Sequence, residues 1–373
     1  MAVRALARIN VAAIERNVMR LRRELKPGTE LCAVVKADGY GHGAVASARA
    51  ALAGGATWLA VAAAGEAAAL RAAGIDARLL VMGALSAEEL LVALDAGADV
   101  VAWREAFVAA LAAHGRPARV HVKLDTGMGR LGTRDPHEAT RVAEAVAAAD
   151  GLELAGAMTH FATADERDDE FFDEQLARFR AWVDPLRARH PGLIAHAANS
   201  AAVLRDPAAH FDLVRSGIAV YGMDPFHEDP ALHDLEPALE LSSYVCEAKP
   251  CAPGQSTGYG RRFVASEPTV LATVPIGYGD GVRRALTNDA DVLVDGARRP
   301  LVGTVSMDNI TLDLGAGGGG VEPGARAVLI GAQGGDRILA EEIARRLGTI
   351  NYEITCGLTA RVPRSYHRDG EPQ

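Results

Sequence analysis

Two lysines in this 373-residue chain stand where a reactive amine could work. Lysine occurs only at Lys26, Lys36, Lys123 and Lys249, while arginine fills nearly every other basic position. Lys36 ends the apolar run Leu31–Val35, and Lys123 interrupts a second hydrophobic run. A desolvated lysine amine has a lowered pKa and can form a Schiff base with a carbonyl cofactor. The alternative is a strand-end lysine that extends to solvent, and this stretch alone leaves both interpretations open.

Short apolar runs that alternate with alanine-rich helical stretches must position these amines. Eight runs have the character of strands: Leu31–Val35, Trp58–Val61, Leu79–Met82, Val100–Trp103, Val120–Leu124, Leu154–Met158, Ile194–Ala198 and Leu213–Val214. Eight strands separated by helices predict an α/β fold, a (β/α)8 barrel of the TIM type. An open doubly wound sheet is the competing arrangement, because periodicity alone does not report closure, although no G-x-G-x-x-G follows a first strand.

The pattern changes from about Leu235 onward. Helical stretches become scarce, and segments bounded by proline and glycine follow: Leu239–Ala248, Thr269–Ile276, Asp291–Val294, Asn309–Asp313 and Arg326–Ile330. Such spacing indicates a mostly β domain. The sequence therefore predicts a barrel over residues 1–235 and a β domain over residues 236–373.

Composition excludes several classes of function. The net charge of −9 and the pI of 5.7 argue against nucleic acid or an anionic membrane as the main partner. The four cysteines form no C-x-x-C pair and have no histidine at metal-ligand spacing, so we expect no metal site. Residues Met1–Asn10 lack an apolar signal segment and no later run reaches the length of a membrane span, which indicates a cytoplasmic protein.

Polar residues follow several of the predicted strands. In chain order after the fifth to eighth runs they are Asp125 and Arg130, His160, Asn199 and Ser200, and Arg215, Ser216 and Gly217. Any one of them could be a satisfied strand-end group. The carboxyl ends of barrel strands meet on one face, however, and that face carries the active site in TIM barrels. We therefore expect these residues to converge with Lys36 and Lys123.

Eight sequence motifs, in order over nearly the whole chain, resemble the pyridoxal-phosphate-dependent alanine racemases. They are VVKADGYGHG, KLDTGMGRLG, HAANSAA, VRSGIAVYG, TGYGRRF, IGYGDG, VSMDN and NYE. This resemblance implies a barrel followed by a β domain. It also implies interconversion of L-alanine and D-alanine, with D-alanine supplied for peptidoglycan.

The resemblance assigns a cofactor site. Lys36 would carry pyridoxal 5'-phosphate as an internal aldimine, and the residues around the cofactor would be Tyr40, His160, Asn199, Ser200, Arg215, Gly217, Ile218 and Tyr352. Arg215 would face the pyridine nitrogen, with His160 behind it. An arginine has too high a pKa to protonate the ring, so the ring stays a weaker electron sink.

Racemisation requires one base on each face of a planar intermediate. The resemblance implies Lys36 as one base and Tyr259 of the partner subunit as the other, and therefore a homodimer with shared active sites. The substrate carboxylate would be held by Arg130 and by the backbone amide of Met307 from the partner chain. Tyr278 and Asp165 match entrance positions, and Lys123 matches a lysine that some members carry as a carbamate.

Two departures from the family pattern bear on substrate choice. Ser306 stands where many members have cysteine, and Thr304 stands where an arginine is common near the entrance. A serine-preferring or broad-spectrum racemase is thus an alternative, because one hydroxyl changes selectivity by only about 1–3 kcal/mol. A second alternative is a fold-related pyridoxal-phosphate-dependent decarboxylase of basic amino acids. Such enzymes place an acidic residue at the ring nitrogen, so Arg215 argues against this class. A pyridoxal-phosphate-binding homeostasis protein would lack a second domain.

Overall fold

A computed structural model describes residues 4–373, which form two compact units. One unit contains residues 14–40 and 44–220, and the other contains residues 4–13, 41–43 and 221–373. The units therefore do not follow a single cut along the chain, and the boundary between residues 235 and 236 stays a prediction. The expectation about Met1–Asn10 extends over residues 1–3, which lie outside the described residues.

The first unit is built on eight parallel strands. In chain order they are Glu30–Val34, Trp58–Val61, Arg78–Val81, Asp99–Ala102, Ala118–Lys123, Leu152–Met158, Ile194–His196 and Leu213–Ser216. Consecutive strands pair from the first to the seventh, and the first also pairs with the eighth. Each of the eight predicted runs corresponds to one of these strands. The barrel prediction is confirmed: the sheet is nearly closed, and backbone hydrogen bonds from the Asp212 amide to the Ala195 carbonyl and from the Arg215 amide to the Ala198 carbonyl link its last two strands.

Helices connect most of the barrel strands. They are Ala44–Ala53, Ala64–Ala72, Ala87–Asp95, Glu105–Ala113, Pro136–Ala148, Phe171–Arg189 and Ser200–Arg205, and the helix Val11–Glu24 precedes the barrel. In that first helix Ile14, Val18 and Leu21 are fully buried, as their helical spacing predicts. Among the helices of residues 4–373, none combines the length and apolar character that a membrane span requires.

The second unit is mostly β, as predicted. Its largest sheet contains Ala297–Pro300, Asp291–Val294, Arg326–Gln333, Leu239–Tyr244, Leu6–Asn10, Arg364–Arg368 and Glu371–Pro372 in that order, with Asp336–Ile338 paired to Arg326–Gln333. Smaller sheets are formed by Glu247–Cys251, Thr269–Val274 and Ile310–Asp313, and by Ser256–Thr257 and Phe263–Val264. Two helices, Ala340–Leu347 and Asn351–Cys356, complete the unit. The leading strand of the chain thus lies in the β sheet of this unit.

Candidate active site

The predicted polar residues of the barrel unit lie at the carboxyl ends of its strands. Lys36 follows the first strand, Lys123 ends the fifth, His160 follows the sixth, and Arg215 lies in the eighth. Lys123 and Arg215 are 4% and 3% exposed, so both cations are buried in protein. Burial of a charge is costly unless it is paired. This end of the barrel therefore has the character of a functional site.

The turn that carries Lys36 has an unusual backbone. Ala37, Asp38, Gly39 and Tyr40 all have positive φ, at 52°, 53°, 62° and 54°. A left-handed turn costs about 1–2 kcal/mol per non-glycine residue, because Cβ approaches the following carbonyl oxygen. Such strain persists only where the surrounding structure holds it. The Lys36 amine lies 6.0 Å from the centre of the Tyr40 ring.

Hydroxyl and amide groups form a cradle beside this turn. The Ser200 hydroxyl accepts the backbone amides of Gly217 at 2.9 Å and Ala219 at 3.3 Å. The Tyr40 hydroxyl packs against Gly217, where a Cβ atom would overlap it. Only glycine fits this position, because Tyr40 already occupies the space. Two hydroxyls and a turn of backbone amides thus converge at one point, an arrangement that suits an anion.

Two predicted residues border this cradle. Asn199 caps the helix Ser200–Arg205 through its side-chain oxygen, which accepts the amide of Ala202 at 3.0 Å. That cap orients Ser200, the first residue of the helix. Ile218 begins the short 3₁₀ turn Ile218–Tyr221. Asn199 therefore positions the cradle through its side-chain cap, and Ile218 through the backbone turn that it begins.

Arg215 is held by acceptors on several sides. Its Nη2 donates to the carbonyls of Thr159 at 2.8 Å and Ala197 at 3.0 Å, and it lies 3.4 Å from Nδ1 of His160. Its Nη1 lies 2.7 Å from Nδ1 of His196, so His196 is the nearer imidazole. These bonds leave the Nε–H and one Nη1–H of the guanidinium for a ligand. The orientation of Arg215 is therefore fixed before any ligand binds.

A chain of buried side chains continues from Arg215 through the barrel interior. His196 Nε2 lies 2.8 Å from His121 Nδ1, and His121 Nε2 lies 3.0 Å from Asp99 Oδ2. An arginine can only donate, so His196 Nδ1 accepts and its proton lies on Nε2. His121 must then accept at Nδ1 and donate from Nε2 to Asp99. The protons of both imidazoles are thereby assigned, and the donors all point from Arg215 toward Asp99.

Gly156 makes room for this chain. It pairs with His121 across the fifth and sixth strands, where the ladder has a register shift. A Cβ atom at Gly156 would lie 2.7 Å from Cε1 of His121 and 2.9 Å from the Ile194 carbonyl oxygen. These approaches are shorter than real Cβ contacts, so glycine is needed for the His121 ring to lie in the interior.

The charges at this end of the barrel shift several pKa values. Burial, with the nearby Arg215 and Arg130, lowers the pKa of Lys123 from 10.5 to about 8. Burial and Arg215 lower the pKa values of His160 and His196 well below the usual 6.5, so both imidazoles are neutral at pH 7. The site therefore concentrates positive charge on lysine and arginine, which favours anionic ligands.

A loop after the fifth strand carries Arg130. The Asp125 carboxylate accepts the amides of Gly127 and Gly129 at 3.0 Å, and the Asp125 amide donates to the Thr133 carbonyl at 2.8 Å. Arg130 is exposed at the tip of this closed loop and lines a cavity of about 390 Å³ with Trp103, Arg104 and Phe107. In residues 4–373, no group of three or more His, Cys, Asp or Glu side chains could hold a metal.

The remaining predicted residues lie in the β unit, apart from the exposed Asp165 of the barrel unit. Tyr259, Tyr278 and Met307 are 75%, 42% and 49% exposed. Hydrogen bonds join their loops: the Thr304 hydroxyl donates to the Tyr259 carbonyl at 2.6 Å, and the Tyr278 amide donates to the Ser306 carbonyl at 2.9 Å. The three loops therefore present one exposed group of side chains.

Tyr352 also belongs to the β unit and lies apart from these loops in the sequence. It is in the helix Asn351–Cys356 and is partly buried, with its ring centre 6.3 Å from that of His227. Asn351 beside it is fully buried and donates to the Asp224 carbonyl at 2.8 Å and to Glu341 at 2.9 Å. This anchoring fixes the direction in which the helix presents Tyr352.

Sequence reasoning missed four residues that shape the site: His196, His121, Asp99, and Glu66, whose carboxylate accepts the Ala37 amide beside Lys36 at 2.6 Å. His196 begins the motif HAANSAA, but the sequence assigns it no role. His121 precedes Lys123 by two residues and lies on the same face of the strand. Asp99 and Glu66 gave no signal, because an acidic residue at the start of a strand or helix is commonplace. An alternating His-x-Lys at the end of an apolar strand was the one available hint.

Comparison with known proteins assigns the family. The alanine racemase N-terminal domain matches residues 9–225, and the alanine racemase C-terminal domain matches residues 238–366. An alanine racemase from Thermobifida fusca (strain YX) is 45% identical over 374 residues, covering 97% of this chain and 98% of the relative. The solved alanine racemase from Streptomyces coelicolor A3(2) has a TM-score of 0.91 at 40% identity, with 97% of both chains covered. The alanine racemase from Bacillus anthracis with bound L-Ala-P has a TM-score of 0.92 at 37% identity, with 100% of this chain and 97% of that chain covered. This chain belongs to the alanine racemase family.

Proposed function

We propose that this protein is an alanine racemase that interconverts L-alanine and D-alanine with pyridoxal 5'-phosphate and the two bases Lys36 and Tyr259. The observation that carries the proposal is the position of the Lys36 amine, at the same barrel end as the Ser200–Gly217 cradle and the pre-oriented Arg215. We further propose that it acts in the cytoplasm and that its D-alanine supplies peptidoglycan.

The residues at this barrel end fit the cofactor. Lys36 offers the amine that would bind the aldehyde, and Tyr40, Ser200 and the backbone at Gly217 and Ile218 would hold the phosphate. The fit rests on the Tyr40 hydroxyl, which packs against Gly217 where a Cβ atom would overlap it, and on the Ser200 hydroxyl, which accepts two amides and keeps its own proton to donate. Pyridoxal phosphate, when bound, withdraws electrons from the α-carbon of the amino acid and so acidifies its α-proton.

Arg215 decides how the ring is used. Burial lowers its pKa only to about 10, so the guanidinium stays charged at pH 7 and donates a hydrogen bond without giving up a proton. A ring nitrogen that is not protonated withdraws electrons less strongly. Arg215 therefore favours rapid return of the α-proton over side reactions, which supports a racemase over a decarboxylase.

The second base requires a partner subunit. Tyr259 and Met307 belong to the exposed loops of the β unit, and a head-to-tail homodimer would bring them to the partner's barrel. There the Tyr259 hydroxyl would take or return the proton on the face opposite Lys36. Arg130 would hold the substrate carboxylate, together with the Met307 amide of the partner subunit, and Tyr278 would narrow the entrance. Fixing the carboxylate aligns the α-proton with the two bases.

Chiral chromatography tests the proposal. L-alanine and D-alanine are incubated separately with protein loaded with pyridoxal phosphate, and we expect both to reach an equal mixture, the equilibrium of enantiomers in water. Lys36→Ala should abolish covalent cofactor binding and nearly all activity, whereas Tyr259→Phe should keep the cofactor bound and stop racemisation. Failure to convert either enantiomer of alanine would refute the assignment, and serine would then be tested.

Analytical ultracentrifugation at assay concentration tests the shared site separately. We expect a dimer. The Lys36→Ala and Tyr259→Phe variants should each be inactive alone, but their mixture should regain activity. In each mixed dimer, one of the two sites then contains both bases. An active protein that sediments only as a monomer would overturn the role of the partner subunit.

A further inference from the structure

The strained turn after the first barrel strand needs a restraint at its start. Ala37 and Asp38 are non-glycine residues in the left-handed region, and the turn carries no glycine before Gly39. The later part of the turn has its own bonds, from the Gly39 amide to the Val35 carbonyl at 3.0 Å and from the Ala44 amide to Asp38 Oδ1 at 2.9 Å. The Ala37 amide, directly after Lys36, is held by a residue from a different element.

That residue is Glu66, on the first turn of the helix Ala64–Ala72. Its Oε1 accepts the Ala37 amide at 2.6 Å. Its Oε2 accepts the amides of Ala62 at 2.8 Å and Ala63 at 3.1 Å, which follow the second barrel strand. One carboxylate therefore joins the loop after the second strand to the turn after the first.

The two oxygens of Glu66 accept amides from different loops, and only a carboxylate has two acceptor oxygens for this. A glutamine at this position could accept the Ala37 amide through its oxygen, but its NH2 group would then face the amides of Ala62 and Ala63. An alanine would leave all three amides without this acceptor. The strain of the turn would then be released most easily at Ala37, and Lys36 would move with it.

We infer that Glu66 is a positioning residue that holds the left-handed turn at Ala37 and thereby fixes the direction of the Lys36 amine toward its carbonyl partner. The inference rests on the proposed function, because it is Lys36 that captures the cofactor. It adds that capture depends on a carboxylate from a neighbouring strand–helix loop. The helix Ala87–Asp95 offers a matched comparison. Its Glu89 carboxylate accepts the backbone amide of the N-cap residue Ser86 at 2.9 Å, as Glu66 accepts that of Ala63, but Glu89 has no bond to the Lys36 turn.

The experiment compares Glu66→Gln and Glu66→Ala with Glu89→Ala in the full-length apoprotein. Pyridoxal phosphate is added, and the rate of its coupling to Lys36 is followed by absorbance. In this step the amine adds to the aldehyde and one water leaves. Borohydride then reduces the new C=N bond, and peptide mass spectrometry identifies the lysine. Hydrogen exchange of the segment 36–40 is measured in the same apoproteins, and their unfolding midpoints report global stability.

We expect Glu66→Ala to slow coupling by about ten- to a hundredfold, the size of a lost hydrogen bond to a charged group. Exchange of segment 36–40 should rise, and Glu66→Gln should be intermediate in both measurements. Glu89→Ala should lower the unfolding midpoint without changing coupling or exchange in this segment. Coupling and exchange in both Glu66 variants equal to those of the Glu89 variant would overturn the inference. A wild-type protein that fails to couple at Lys36 would refute the proposed function, and exchange alone would then decide whether Glu66 holds the turn.

Discussion

Replacement of Lys123 by methionine should stabilise the folded protein at neutral pH. Burial and the positive charges of Arg215 and Arg130 lower the pKa of Lys123 to about 8, against an attraction from Asp125 that only partly offsets them. The difference of about 2.5 pKa units from an exposed lysine corresponds to about 3 kcal/mol at 1.36 kcal/mol per unit. Methionine fills a similar volume without a charge and removes this cost.

The pH dependence of this gain follows from the direction of the pKa shift. Between pH 8 and 10.5 the unfolded chain binds more protons than the folded protein, so the stability of the wild type rises with pH in this window. The advantage of Lys123→Met should therefore be about 3 kcal/mol at pH 7 and about 1.4 kcal/mol at pH 9.5. Below pH 8 it should be nearly constant, because both states of the wild type are then protonated.

Urea unfolding of the cofactor-free protein measures this difference, at a fixed concentration because unfolding of the proposed dimer would depend on concentration. Lys249→Met serves as the control, because Lys249 is exposed and its loss should change stability by less than about 0.5 kcal/mol. A Lys123→Met protein that is less stable than the wild type at pH 7 would refute the reasoning. The attraction to Asp125 would then outweigh the cost of burial.

Three further outcomes are expected. At pH 7.5 about a quarter of Lys123 is neutral if its pKa is about 8, and a neutral amine can form a carbamate. Labelling with ¹³C-bicarbonate should therefore give a carbamate NMR signal that Lys123→Met removes; a signal that persists in this variant would show that the carbamate is not on Lys123. Ser200→Ala should weaken pyridoxal phosphate binding about ten- to a hundredfold in a fluorescence titration, and an unchanged affinity would exclude Ser200 from the phosphate cradle. Asp99→Asn should mix the tautomers of His121 and His196, which ¹⁵N NMR of labelled histidine reports; unmixed tautomers would show that Asp99 does not set them.

The fold was predictable because its signals are local. Apolar runs of two to five residues in alternation with alanine-rich stretches indicate each barrel strand. The helical pattern of the sequence also predicts a helix over Phe171–Arg189, with the same bounds as in the structure. The strand Leu6–Asn10 shows the limit of this approach. Its residues predict a strand, but they do not say that its neighbours are Leu239–Tyr244 and Arg364–Arg368, more than 220 positions away along the chain. Pairing partners at that separation are set by packing of the whole unit.

The site was predictable to a lesser degree, and for a physical reason. Lys36 and Lys123 stood out because a lysine beside a buried strand is costly. Tyr259 and Met307 gave no such signal, since exposed loop residues cost nothing in the isolated chain, and only the resemblance singled them out. The positive φ of Ala37 was also invisible, because alanine has no preference for that conformation; the contact with Glu66 comes from elsewhere in the chain.

The polar chain inside the barrel is best explained by what Arg215 must do. TIM barrels fill their interior with layers of branched apolar side chains, yet here Asp99, His121 and His196 take those places. A buried arginine needs a negative charge in reach. A carboxylate in direct contact with Arg215 would also stand beside the ring nitrogen of the proposed cofactor, where its acid form could supply a proton.

The two neutral imidazoles of His196 and His121 lie between Arg215 and the Asp99 carboxylate, and so keep the carboxylate out of direct contact with Arg215. A chain of hydrogen bonds through these imidazoles links Arg215 to Asp99. The Asp99 carboxylate itself remains at the start of the fourth strand, beside Arg78 and Arg119. Burial alone would raise the pKa of Asp99, but the hydrogen bond from His121 and the charges of Arg78 and Arg119 together keep this pKa below its usual value, so the carboxylate stays an anion. Arg215 is thus held by neutral acceptors, with no acid among residues 4–373 in contact with it. The polar residues in the interior of the barrel therefore give Arg215 an acceptor, His196, and fix the tautomer in which His196 accepts.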